Sequence, residues 1–84
     1  MSGIQSMVVG GKYNCGDGGG YDIVQCLEVM PNHEISEGQF VFAVKVAYCR
    51  VIFGVWSPSQ DDTDLWFEAP GNEYSIYVEP LMET

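Results

Sequence analysis

Apolar and polar positions along this chain alternate in the manner of β-strands. From Phe40 to Trp56 the sequence is almost wholly apolar, and Phe40, Phe42, Val44, Val46 and Tyr48 share one face until Arg50 ends the series. Lys45, Arg50 and Gly54 interrupt the stretch, which is also too short to cross a bilayer as a helix. One straight strand of this length would reach about 55 Å, well beyond the ~30 Å diameter expected for a domain of this size. The run therefore bends sharply or divides into two strands, with Arg50 and Gly54 as the candidate breaks.

The flanking segments read in the same way. Tyr21, Ile23, Leu27 and Val29 are placed on one face of a strand, with Asp22 and Glu28 on the other. Pro31-Asn32 is read as the turn that closes it, and Ser36-Glu37-Gly38 as the opening of the next strand. Leu65–Glu68 and Tyr74–Val78 flank Ala69-Pro70-Gly71-Asn72, where Pro followed by Gly predicts a type II turn and a hairpin. Met7–Val9 is predicted as a short first strand running on toward Tyr13. Ser57-Pro58-Ser59-Gln60 combines a cap residue with Pro at a first helical position, so 58–64 is read as a short helix or 3₁₀ turn, or else an ordered acidic loop.

Composition supports the strand reading. Ten Val, five Ile, four Phe, five Tyr and two Trp favour pleated surfaces, against three Ala and three Leu. The expected fold is all-β or nearly so: a small SH3-like barrel or strongly curled antiparallel sheet of five to six strands. The 84 residues make a single domain, 1–84, with loose ends at 1–6 and 80–84.

Charge narrows the partners. Twelve Asp and Glu against three Lys and Arg give a net charge of -9. Acid content is ordinary, so the imbalance reflects a shortage of bases; of the three present, Lys45 and Arg50 lie inside the apolar run. Direct binding of DNA or RNA is excluded, since it needs cations to displace counterions from phosphates. A polybasic membrane anchor is excluded for the same reason. Three cysteines (Cys15, Cys26 and Cys49) and an N-terminal stretch lacking both a basic region and an apolar core point to reduced thiols and a cytoplasmic location.

Catalytic and metal chemistry find little support. His33, the one histidine, sits in a Pro-Asn-His-Glu turn, and no nucleophile carries a local signature. Cys15, Cys26, His33 and Cys49 are spaced C-x₁₀-C-x₆-H-x₁₅-C, without the close pairs of structural zinc sites. Gly16-Asp17-Gly18-Gly19-Gly20 lacks the Lys-Ser/Thr and following helix of a phosphate loop and reads as a hairpin tip. No enzyme activity, metal or cofactor is expected.

What remains is an acidic surface with large aromatics. Asp61-Asp62-Thr63-Asp64 runs directly into Leu65-Trp66-Phe67-Glu68, and carboxylates beside an aromatic anchor can engage a basic protein surface. The candidate partner-binding residues are Asp61, Asp62, Asp64, Trp66, Glu68, Glu73, Asp17 and Asp22. The expectation is a small non-enzymatic inhibitor of the kind phages and mobile elements encode, acting in a host cytoplasm on a basic, nucleic-acid-handling protein. In general character this is similar to anti-restriction and anti-CRISPR proteins. The alternative is an SH3-like adaptor or a structural assembly module, such as a phage component or a homo-oligomer.

Overall fold

The structure, a computed structural model, describes residues 3–16, 20–68 and 77–82. After a 3₁₀ turn at Ile4–Ser6 come five strands: β1 (Lys12–Gly16), β2 (Tyr21–Ser36), β3 (Gln39–Ile52), β4 (Val55–Phe67) and β5 (Tyr77–Pro80). They form one antiparallel sheet in the order β4-β3-β2-β1-β5. The all-β class is as expected.

One face of the sheet carries the main core, and Val41, Ala43 and Ala47 of β3 are buried on the opposite face. Tyr13 and Cys15 of β1, Val24 and Cys26 of β2, Val44 and Val46 of β3, and Val78 of β5 form a single cluster with Ile4 and Met7. Phe42 and Tyr48 of β3 and Trp66 of β4 pack against it. Residues from both edge strands meet in one cluster, so the sheet must curl toward this face. Phe42, Val44, Val46 and Tyr48 of β3 do share the face of this cluster, whereas Phe40 is exposed. The alternating residues Val41, Ala43 and Ala47 are buried too, so β3 is covered on both sides from Val41 to Tyr48 except at Lys45.

On β2 the expected face fails before the first bulge and holds after it, where Val29 packs against the core. Val24 and Cys26 are fully buried, while Tyr21 and Leu27 are exposed. Three register shifts against β3, at Cys26/Glu28, Met30/His33 and Glu34/Ser36, each place an extra residue on β2. A bulge reverses the alternation, so a single period cannot be carried through the strand. Pro31-Asn32 falls at the second of these shifts and does not end the strand. A proline lacks the N–H that a ladder needs and is tolerated at a bulge.

The apolar run is indeed two strands, divided at Phe53-Gly54. Ile52 pairs with Val55, leaving a two-residue loop with Phe53 at φ 52° and Gly54 at φ 78°. Positive φ at both positions is what a type I′ hairpin turn requires. The fourteen residues of β3 run for about 46 Å at ~3.3 Å each, matching the molecule's longest dimension of 45 Å. The sheet is thus longer than a spherical domain would allow.

Three further expectations change. Residues 58–64 are extended within β4, because pairing of Thr63 with Ala47 and Asp64 with Val46 overrides the local helix-start signal. The C-terminal hairpin does not form between β4 and β5. These occupy opposite edges of the sheet, with Tyr77–Pro80 paired to Tyr13–Gly16; the Pro70-Gly71 turn itself lies outside the described residues. The first strand begins at Lys12, not at Met7, since the backbone turns at Val9-Gly10.

The N-terminal segment is also more than a loose end. Ile4 is completely buried and its turn packs against β3 and β5, spanning the curled face. Val8 N–H donates to the Tyr13 hydroxyl at 2.9 Å, fixing the return into β1. At the other terminus Leu81 N–H donates to Lys12 carbonyl at 3.0 Å, whereas Met82 is exposed.

Candidate protein-binding surface

Strand β4 is an edge strand with an irregular middle. Cys49 pairs with Pro58 and Ala47 with Thr63, so β4 has three more residues than β3 between these two pairs. The surplus displaces Ser59–Asp62 from regular pairing opposite Tyr48, and Asp61 and Asp62 are both exposed. Such a bulge twists an edge away from strand addition and re-aims its side chains.

Asp64 has a different task. Its Oδ2 accepts from the Tyr48 hydroxyl at 3.0 Å and from Trp66 Nε1 at 3.3 Å, and its Oδ1 accepts from Leu65 N–H at 2.8 Å. Tyr48 and Trp66 meet edge to face, with ring centroids 6.2 Å apart. Burial, and then the hydrogen bond to Asp64, push the Tyr48 phenol above its ordinary pKa. Asp64 and Trp66 therefore brace the sheet surface, while Asp61 and Asp62 project from it.

Glu68 joins the N-terminal segment to β4. Its Oε2 accepts from Gln5 Nε2 at 3.2 Å, and its backbone N–H donates to the Phe42 carbonyl at 3.3 Å. Asp22 lies on β2 two residues before Val24, the partner of Tyr48, and so shares that face. Its charge contributes to the raised pKa of both Tyr48 and Cys15. Asp22 and Asp64 thus flank Tyr48 from the two neighbouring strands, an arrangement that their separation in sequence conceals. Asp17 and Glu73 lie outside the described residues.

The thiols are placed as small apolar side chains. Cys15 and Cys26 are buried, Cys49 is half-buried, and none is paired in a disulfide. Burial, helped by Asp22, pushes the Cys15 thiol up to about 12, and burial raises Cys26 as well. Thiols held in the protonated form are poor nucleophiles and metal ligands. Among the described residues no three His, Cys, Asp or Glu side chains converge in a way that could hold a metal ion. A shallow cleft of about 230 Å³ beside Gly16, Gly20, Tyr21 and Tyr77 is smaller than the ~300–1,000 Å³ typical of small-molecule sites.

Sequence reasoning missed one surface. Beyond Val24–Tyr48, the last β2–β3 pair at this end, β3 and β4 continue as a two-stranded arm from Cys49–Pro58 to the turn. Its tip exposes Val51, Ile52 and Val55 by about half and Phe53 completely. Gly54 inside an apolar run was the available signal, but the same pattern also fits a buried barrel corner.

The chain matches no protein-family model, curated protein or solved structure with which it was compared. Among the described residues no helix is long and apolar enough to cross a membrane.

Proposed function

We propose that this protein is a non-enzymatic binding module that occupies a basic, nucleic-acid-handling surface of another protein, in the manner of phage or mobile-element inhibitors. The observation that supports it best is the β4 bulge, which holds Asp61 and Asp62 clear of the sheet beside the Tyr48–Asp64–Trp66 brace. Exposed carboxylates on a rigid support act as a charged rim that steers a basic partner and fixes its register. Because acid content is ordinary, occlusion fits better than imitation of a continuous phosphate backbone.

Capture from a cell lysate on the immobilised protein tests the reading. The expected partner is basic, is released by salt and competes with nucleic acid for the module. Retention of acidic proteins alone, or of partners indifferent to salt, would refute it.

A second reading, an assembly module, is favoured by the apolar arm at the β3–β4 turn. The bulge does not explain that arm, and a basic partner has no evident use for it.

A further inference from the structure

At the β1–β5 end of the sheet two tyrosines flank a glycine. Gly16 of β1 pairs with Tyr21 of β2 on one side and with Tyr77 of β5 on the other, so the three positions share one face. Their neighbours Cys15 and Val78 are buried in the core, which puts this row on the opposite face of the sheet. Tyr21 and Tyr77 are exposed by 78% and 41%, and with Gly16 and Gly20 they line the cleft of about 230 Å³. Two inter-strand spacings set their backbones about 10 Å apart. A side chain at Gly16 would fill that gap, because its Cβ would stand 3.2 Å from the Tyr21 ring and 3.1 Å from the Gly20 carbonyl oxygen. A cleft of this size holds one side chain of another protein rather than a free small molecule.

The groups around the cleft favour a cation. The Tyr77 hydroxyl donates to Glu79 Oε2 at 3.5 Å, and Glu79 lies two residues along β5 on the same face. Glu79 pairs with Asn14, whose Oδ1 is buried with no hydrogen-bond partner among the described residues. Within two positions of the four lining residues the sequence has Asp17, Asp22 and Glu79 and no Lys, Arg or His. Lys12 is on the same face but four residues before Gly16, about 13 Å along β1. The surroundings are rich in acceptors, and the face of a tyrosine ring itself attracts positive charge. An anion would meet carboxylates, and a neutral ring would leave them unused. A guanidinium is planar, so it lies flat on an aromatic face, and its N–H groups suit both the Glu79 carboxylate and the Gly20 carbonyl. An ammonium offers no such plane. We propose that the Tyr21–Gly16–Tyr77 cleft receives an arginine side chain of a protein partner, stacked on tyrosine and paired with Glu79. The inference rests on the basic-partner reading for the source of the arginine, and it adds a contact at the β5 edge, away from the β4 bulge.

Titration of the labelled protein with acetyl-Gly-Arg-Gly-amide, followed by amide NMR at low salt, tests it. The Gly16, Gly20 and Tyr77 signals are expected to move, with millimolar affinity for this single side chain. The same peptide with citrulline keeps the plane without the charge, and with lysine keeps the charge without the plane. Both should bind about threefold or more weakly. Tyr21→Leu and Tyr77→Leu should each weaken the arginine peptide to a similar extent, and Glu79→Gln should also remove its salt dependence. Both tyrosines are exposed, so the fold should be kept. Gly16→Ala fills the floor while leaving both rings and the carboxylate, and serves if a tyrosine variant loses its native circular dichroism. No response to the arginine peptide overturns the inference, as does binding indifferent to the tyrosine and Gly16 variants. Equal affinity for citrulline would assign the cleft to neutral planar groups, and equal affinity for lysine would reduce it to charge alone; either result overturns the inference. Capture of a basic protein from lysate without peptide binding would remove the cleft and keep the basic-partner reading. Peptide binding with no basic protein captured would keep the arginine site and remove that reading.

Discussion

Asp61, Asp62 and Asp64 are indistinguishable in the sequence, yet hydrogen bonding separates them into two roles. Removing the Asp64 carboxylate leaves the half-buried Tyr48 hydroxyl and Trp66 indole N–H without their shared acceptor. Asp64→Ala is therefore expected to lower stability by about 0.5–1.5 kcal/mol, the net worth of hydrogen bonds that water can partly replace, and to shift tryptophan emission. Asp61→Asn with Asp62→Asn should change stability by no more than about 0.5 kcal/mol, as is usual for exposed positions. Urea unfolding of the two variants checks the contrast, and equal effects would contradict it. The spacing D-D-T-D gave no hint of this division, because it depends on which aspartate lies opposite Val46 and beside Tyr48.

The buried thiols set a limit at alkaline pH. Burial pushes the Cys15 thiol up to about 12 in the folded chain from an ordinary 9.0, so the unfolded chain releases this proton first. The stabilising difference is whole below pH 9 and is lost progressively as pH rises toward 12. The raised values of Cys26 and Tyr48 act with the same sign. Thermal midpoints are expected to fall steadily above pH 9, and a thiol reagent at neutral pH should modify half-buried Cys49 before Cys15 or Cys26. Equal native-state reactivity at all three would show that the core is open.

At the scale of elements, the N-terminal segment and the arm show opposite uses of apolar residues. Ile4 is fully buried in the core of the curled face, and its turn packs against β3 and β5. Ile4→Ala is expected to cost about 2–4 kcal/mol, a loss that a chain this small would register as a large drop in its thermal midpoint. Loss of less than about 1 kcal/mol would mean that the segment merely rests on the sheet. The arm leaves its apolar groups in solvent, and holding Phe53 in the left-handed region costs a further ~1–2 kcal/mol. The N-terminal segment is the more polar of the two, yet it is the one that contributes a core residue. What distinguishes them is whether a curved surface lies over them.

For the whole molecule, charge separation dominates. Lys45 and Arg50 sit on β3, and Lys12 completes the three Lys and Arg of the chain, so the acids set the potential around the body. Association with a basic partner should accordingly be fast at low salt and fall steeply as salt rises. Asp61→Asn with Asp62→Asn is expected to reduce its association rate several-fold while leaving the fold intact, as measured by surface capture at two ionic strengths. Unchanged rates at low salt would move the contact away from the bulge.

The strand class and the division of the apolar run followed from local physics. Val-rich alternation, a glycine inside the run and the scarcity of helix formers needed no tertiary information. The inward face of β2, the separation of β4 from β5 and the fate of 58–64 depended on pairing between residues far apart in the chain. Bulges reset side-chain alternation at points that composition does not mark, and a turn motif cannot say which strand its neighbour will join. For the same reason the sequence supplied the acidic and apolar residues of the candidate surfaces, and the curl and register of the sheet decided which of them meet solvent.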